Sequence, residues 1–434
     1  MPQTCTSLAS ASDCYDAVVV GAGPAGSVVA RQLARRDKRV LLVDKATFPR
    51  SKVCGGCLNA AGVAALEQIG LGDLPKRFAA PLGKLSLHCA GKRTTIALAD
   101  NVVVPRDAFD AALADAAVSA GATLRCGVEA RPIAEEGNRR VLSSASGRFF
   151  QHPIQHRSPS FPLAPSPPFA TRDCRSLQLT LAGHNVHVAA RIVIVAAGLN
   201  GWHEADVAAR RRPERGSRIG AGVILPECPS DFEPGVVCMS VGVGGYVGMV
   251  RLADGRLDVA AAFDKKFLAR AGGPAHAASL ILRQAGLASP AGIEDFPWFG
   301  TPALSHQLPK VALSRTFFVG DAAGYVEPFT GEGMAWAIQS ACELVPIAAR
   351  AIDEYSPALA AEWGSRHRNL LARRMTVCGL VGRLLRHPRL ASLATSVLVR
   401  APWLATPLVR SLNRPRSVLQ CRSPTRPVSE GLDR

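Results

Sequence analysis

Three glycines at the end of a short apolar run constrain this chain more than any other feature. The stretch YDAVVVGAGPAGSVVARQLARRDKRVLLVDK, from Tyr15 to Lys45, reads as strand, glycine turn, helix, strand. Ala17 to Val20 is apolar at every position, as a parallel strand buried on both faces must be. Gly21, Gly23 and Gly26 then form G-x-G-x-x-G. The first permits a tight turn, the second lets backbone approach a pyrophosphate, and the third lets the helix close on the strand. Pro24 and Ala25 open that helix, whose free N–H groups and positive dipole end face the phosphates. The second strand, Val40 to Val43, ends at Asp44, eighteen residues after Gly26, with Lys45 beside it. A carboxylate there accepts hydrogen bonds from both ribose hydroxyls and repels a 2′-phosphate. The spacing therefore predicts an adenine dinucleotide without that phosphate, NAD or FAD.

A second strand end decides between them. TFFVGDAAGYVEPFTGEGMAWAIQSACELVPIAAR, from Thr316 to Arg350, reads as an apolar strand over Phe317 to Val319 that ends in Gly320 and Asp321. A loop through Pro328 follows, and then a helix opening at Gly331, Glu332, Gly333 and Met334. Asp321, at the C-terminal edge of a sheet strand, suits the hydroxyls of a ribityl chain, and the helix N-terminus suits the negative charge of a reduced flavin. Together the two stretches resemble the flavoproteins built like p-hydroxybenzoate hydroxylase, in which an early GxGxxG and a distant GD hold opposite ends of one FAD. The resemblance spans most of residues 15 to 350. Within it, VVPRDAFDAALADAAVSAGATL matches the RxxFDxxLxxxAxxxGA helix, which implies that Arg106 lies beside the flavin and the dinucleotide. ARIVIVAAGLNGW matches the strand that returns to the nucleotide, with Gly198 in its turn, and Val128 joins the cofactor-binding set implied by the family.

The loop FPRSKVCGGCLNAAG, Phe48 to Gly62, sharpens the match. It resembles the FPRxKxCGGxL segment of the geranylgeranyl reductase family, flavoenzymes that reduce double bonds of polyprenyl chains. That resemblance implies that Arg50 to Asn59 line the flavin, that Gly55 and Gly56 let backbone approach the flat ring, and that Cys54 is the active-site thiol. Cys57 falls outside the pattern. A zinc site needs a second ligand pair that the chain does not supply, so no metal is expected. A flavin-coupled disulfide remains a second reading of the pair. The chain departs from that family over GGYVGMVRLADGRLDVAAAF: Tyr246 is kept, but Met249 and Arg251 stand where Trp and Pro would fall. Tyr246 and Met249 are the expected substrate residues, and cross-strand packing is the other reading of Tyr246. The expected reaction is hydride transfer from flavin to a C=C bond of an isoprenoid or lipid-like molecule. The alternatives are an NAD(P)H-dependent monooxygenase acting on an aromatic or quinone precursor, and a non-catalytic FAD-binding electron carrier. No second GxGxxG unit is present, so NAD(P)H binds without its own domain or a protein donor supplies electrons.

The expected fold class is α/β (α+β overall). A discontinuous Rossmann-like FAD-binding domain takes 12–80, 104–130, 185–205 and 310–350. An inserted antiparallel-sheet substrate domain takes 81–103 and 206–309. Residues 149–173 read as a Pro/Ser-rich disordered insertion, with His152 and His156 as solvated loop histidines. The formal charge of +17 among 434 residues lacks any aromatic-interleaved basic stripe, so nucleic acid is not an expected partner. The charge concentrates instead in a basic helical C-terminal region, 355–434, where apolar turns alternate with arginine and proline. Such helices suit an anionic membrane surface, with Trp403 at the interface, or else cap the substrate domain or a partner subunit. Twelve cysteines with no signal-like leader predict reduced thiols, and so a cytoplasmic protein peripheral to the inner face of the membrane. Oligomeric state is not legible.

Overall fold

The computed structural model describes residues 14–133, 173–200, 202, 212–230, 232–327, 329 and 331–413; the expectations for the Pro/Ser-rich insertion and its two histidines lie outside them. The chain starts with the anticipated unit: strand β1 (Cys14–Val20), helix α1 (Pro24–Ala34), strand β2 (Val40–Asp44). After helix α2 (Ala60–Gln68) it crosses into a second sheet as the hairpin β3 (Ala80–Cys89) and β4 (Lys92–Val103). It then returns through α3 (Arg106–Ser119) to β5 (Thr123–Cys126).

In the first sheet β1 pairs in parallel with β2, and β2 with β5. Val18 opposes Leu41 on one side and Val193 on the other, and is fully buried. One face of the sheet carries Ala17, Val19 and Leu42 into the helical core with α1 and α3. The other carries Val18, Leu41 and Val43 into a separate apolar layer. That second layer is closed by β6 (Val128–Pro132), β7 (Arg175–Leu181) and the first half of β8 (His184–Val195), an antiparallel meander. The second half of β8 pairs in parallel with β1, so one long strand belongs to both arrangements. The FAD-binding segment expected from 185 thus begins earlier, because β7 is paired on both sides within this layer.

The inserted domain is an antiparallel-rich sheet of β9 (Ile219–Leu225), β10 (Val236–Gly242), β11 (Gly245–Arg251) and β12 (Leu257–Phe263), extended by β3 and β4. Helix α4 (Pro274–Ala285) covers its outer face, where Ala277, Ile281 and Leu282 pack on Val247, Met249 and Val259. Strand β13 (Phe299–Ala303) closes the edge beside β9. The chain re-enters the first sheet at β14 (Thr316–Phe318), parallel to β8, and continues into the buried helix α5 (Gly333–Asp353).

Three further helices, α6 (Pro357–Leu385), α7 (Pro388–Arg400) and α8 (Thr406–Asn413), form the C-terminal region. The first is one long helix, and no proline interrupts it between Leu359 and Leu385. It is tied to the first sheet by Trp363, whose Nε1–H donates to the Phe318 carbonyl at 3.0 Å inside a fully buried site.

Candidate active site

The glycine turn is held shut by contacts that no side chain would tolerate. Gly21 has a φ of +103°, and a Cβ there would come within 2.3 Å of the Ala196 carbonyl oxygen. A Cβ on Gly26 would stand 1.8 Å from the Gly21 oxygen, so the helix packs on the turn backbone to backbone. Asp44 accepts from the Ala22 N–H at 2.7 Å and from the Ala46 N–H at 2.9 Å, which fixes the second strand end against the turn. Helix α1 has Gly23 at its N-cap and no capping side chain, leaving its first N–H groups for a ligand.

One cavity of about 520 Å³ runs past all these groups. Gly21, Gly23, Pro24, Asp44, Lys45 and Val128 line one end, and Cys54, Gly55, Arg106, Gly198 and Asp321 the middle. Gly331, Gly333 and Met334 lie at the start of α5, whose N-terminus also lacks a capping side chain. Two separate strand-to-helix turns, 300 residues apart in the sequence (Gly21 and Asp321), therefore open onto one space. Ala25 and Gly26 are buried in the first turn of α1 and Gly56 in the loop below, outside the cavity wall.

The electrostatics are built from alternating charges. Arg106, at the first turn of α3, donates from Nε and Nη2 to both oxygens of Asp110, at 2.9 and 2.8 Å, with both side chains buried. Burial works against the guanidinium charge, but Asp110 outweighs it and raises the Arg106 pKa, with Cys54 close enough to add to the effect. Arg50 lies 3.4 Å from Asp110 and 3.7 Å from Asp44, and its buried Nε has no hydrogen-bond partner. An orphaned guanidinium donor beside a glycine cradle suits a phosphate or ribose oxygen. Lys52, with about a third of its side chain exposed (31%), lies 3.9 Å from Asp321; burial lowers its pKa and Asp321 opposes the shift. The groups fit one FAD. The glycine-lined start of α1, Arg50 and Asp44 would hold its nucleotide half, and Asp321, Cys54, Gly55 and the α5 N-terminus its flavin half.

The CGGC loop is stitched to the edge of the inserted sheet. The Val104 N–H donates to the Gly56 carbonyl at 2.8 Å, and Cys57–Leu58 pairs with Val102–Val103 at the edge of the inserted sheet. Cys54 and Cys57 are free thiols. Cys57 donates its S–H to the Gly55 carbonyl at 3.1 Å, and burial pushes its pKa well above the usual thiol range, with Cys54 and Asp258 adding to the shift. A thiol so held is a poor nucleophile.

Beyond the loop the cavity becomes apolar: Leu82, Leu85, Leu98, Val237, Met239 and Phe329 wall it. A register shift between Leu82 and Lys84 allows Leu82 and Leu85, an odd interval apart, to enter the same core. Tyr246 faces this space, edge-on to Phe329 at 5.1 Å between ring centroids, with the Arg218 guanidinium 5.5 Å over its ring. Arg218 in turn pairs with the buried Glu327 at 3.1 Å. Met249 borders the cavity, but its side chain belongs to the layer behind the sheet with Ile281. The two expected substrate residues thus point to opposite faces.

Two groups in or beside the site escaped sequence reasoning. Tyr325 lines the cavity between Asp321 and Cys54; burial, reinforced by the Asp321 charge, raises its phenol pKa well above 10.0, so it keeps its proton. Asp258 on β12 is 5% exposed and packs under Gly56; burial lifts its pKa to about 8 against the pull of Arg106 and Arg256. Tyr325 had a signal, directly following the GDAAG turn. Asp258 had one as well, a carboxylate on the inward phase of an otherwise apolar strand.

Comparison with known proteins agrees with this geometry. Residues 14–147 match the FAD binding domain family. The menaquinone reductase of Mycobacterium tuberculosis is 28% identical over 418 residues, 93% of this chain and 92% of that one. Among solved structures, a geranylgeranyl bacteriochlorophyll reductase-like protein from Thermoplasma acidophilum superposes with a TM-score of 0.67 at 18% identity, over 92% of this chain and 99% of that one. The flavin-dependent brominase Bmp2 gives 0.66 at 14% identity, over 92% and 94%. At such identities the structural likenesses establish the fold alone.

Proposed function

We propose that this FAD-dependent oxidoreductase, similar to the geranylgeranyl reductase-like flavoproteins, reduces a carbon–carbon double bond of an isoprenoid or quinone-bearing lipid. The observation that carries this reading is the continuity of the nucleotide cradle with a pocket walled by Leu82, Leu85, Leu98, Val237, Met239 and Phe329. Burying a prenyl chain there is favourable by about 25 cal/mol per Å² of apolar surface, while a charged ligand would lose its hydration without compensation. The full-length similarity to a menaquinone reductase supports a lipid quinone as one such substrate.

FAD, when bound, supplies the hydride. The chain's own residues set the conditions for its delivery. The apolar walls exclude water from the reacting bond. Arg106 fixes a positive charge beside Cys54, and Tyr325 holds a proton next to the same thiol, within the space a substrate would enter. NAD(P)H or a protein donor closes the cycle.

The test is an anaerobic one. Holoenzyme reduced with one equivalent of dithionite and mixed with a polyprenylated quinone should regain the oxidised flavin spectrum, and the lipid, once any quinol is reoxidised to quinone, should still carry two added hydrogens in its prenyl chain by mass spectrometry. A product that gains one oxygen atom, and only in air with NAD(P)H, replaces this reading with the monooxygenase. A reduced flavin that no lipid discharges refutes it.

A further inference from the structure

The C-terminal helices present an apolar surface that no described residue covers. Of the thirteen large hydrophobic side chains exposed among the described residues, nine lie between Leu380 and Leu408. Leu390, Leu393 and Val397 recur at helical spacing along α7; Leu393 is 62% exposed and Trp403, in the turn that follows, 69%. The inner side of the same helices is also apolar: Leu385, Ala391 and Ala405 share one core with Leu82, Leu85, Val237 and Met239 of the cavity wall. One helical layer therefore packs against residues that wall the substrate pocket and turns a second apolar face outward. The charge there has one sign: from Trp363 to Ser429 the sequence contains no Asp or Glu, and Arg383, Arg389, Arg400 and Arg410 are exposed among the apolar residues.

We infer that this face docks the protein on an anionic phospholipid membrane, lying in the interface with the arginines at the headgroups and Trp403 and Leu393 below them. No single helix among the described residues is long and apolar enough to cross a bilayer, and the pair Pro388–Arg400 and Pro402–Asn413 is bent by 116°. That geometry lays two apolar faces along a surface. A second copy is a poorer occupant. A two-fold contact would bring the same arginines face to face, whereas anionic lipid neutralises them. The docking is independent of which bond the enzyme reduces, although it brings the helical layer packed on the pocket's walls against the phase where a prenyl lipid resides.

The experiment is flotation of the full-length holoenzyme with vesicles of phosphatidylcholine alone and of phosphatidylcholine with equimolar phosphatidylglycerol. Binding should require the anionic lipid and weaken steeply with salt. Arg389→Ala with Arg400→Ala should cut the partition coefficient by roughly thirtyfold, at about fivefold per basic residue. Leu393→Glu with Trp403→Glu should abolish binding while flavin content and circular dichroism stay unchanged. Failure to float with either vesicle, or flotation of the Glu variant equal to the parent, overturns the inference. Light scattering that shows a dimer broken by Leu393→Glu also overturns it and assigns the face to a second copy. Because the readout is lipid binding, a protein that floats but reduces no prenyl lipid would sink only the proposed reaction.

Discussion

Replacing Asp258 by asparagine removes a charge that the fold resists. The carboxyl lies 5% exposed beneath the CGGC loop, and burial lifts its pKa from 3.8 to about 8, with Arg106 and Arg256 pulling it down and Asp107 pushing it up. Between those two values the unfolded chain has lost the proton and the folded chain still holds it. Each pH unit in that interval therefore costs the native state about 1.4 kcal/mol. The stabilising contribution of the neutral acid is complete below about pH 4 and gone once the pH has risen through about 8. Integrated between pH 5 and pH 8, the parent loses roughly 3–4 kcal/mol through this one group. Asp258→Asn is neutral throughout and keeps nearly the same shape, so its margin of stability over the parent should widen by roughly 3–4 kcal/mol between pH 5 and pH 8. Thermal unfolding of both holoproteins, followed by near-ultraviolet circular dichroism across that range, measures the difference, and other titrating groups cancel between them. A gap in Tm that does not change with pH would show that Asp258 is charged in the native state and that the burial argument fails.

Three other substitutions probe separate links in the argument. Asp321→Ala removes the acceptor expected at the ribityl chain, and should lower FAD affinity by about tenfold to a hundredfold, read from the ratio of flavin to protein absorbance after purification. Full flavin occupancy would place the ribityl chain elsewhere. Tyr325→Phe should leave flavin content intact and slow lipid reduction by about a hundredfold or more, the usual worth of a positioned proton donor; unchanged turnover would make the phenol a packing group. Trp363→Phe deletes the buried hydrogen bond to the Phe318 carbonyl and should cost about 1–3 kcal/mol in urea unfolding, because that carbonyl then has no donor within the apolar site.

How far the site was legible depends on the range of the interactions that build it. Gly21, Gly23, Gly26 and Asp44 were readable because one βαβ unit sets their geometry, and the fixed rise of a strand and a helix turns sequence spacing into position. Asp321 was readable for the same reason at a second strand end. Tyr246 and Met249 show how a simple rule was missed. They stand three residues apart on one strand, and its period of two sends them to opposite faces. The register shift that aligns Leu82 with Leu85 has no such signature in the sequence.

The sequence by itself determined a dinucleotide fold with two anchoring turns, a flavin as the ligand both turns serve, and a basic, acid-free C-terminal region. Those properties are local, carried by glycine conformation, strand and helix periods, and composition. Only the tertiary structure decided that Arg50, Arg106 and Asp110 form one buried charge cluster, and that burial keeps the protons of Asp258 and Tyr325 in place. Only it decided, too, that the C-terminal helices pack against residues that wall the apolar pocket. Dielectric surroundings and partners drawn from distant segments set those properties, and neither exists until the two sheets and the helical layer have packed.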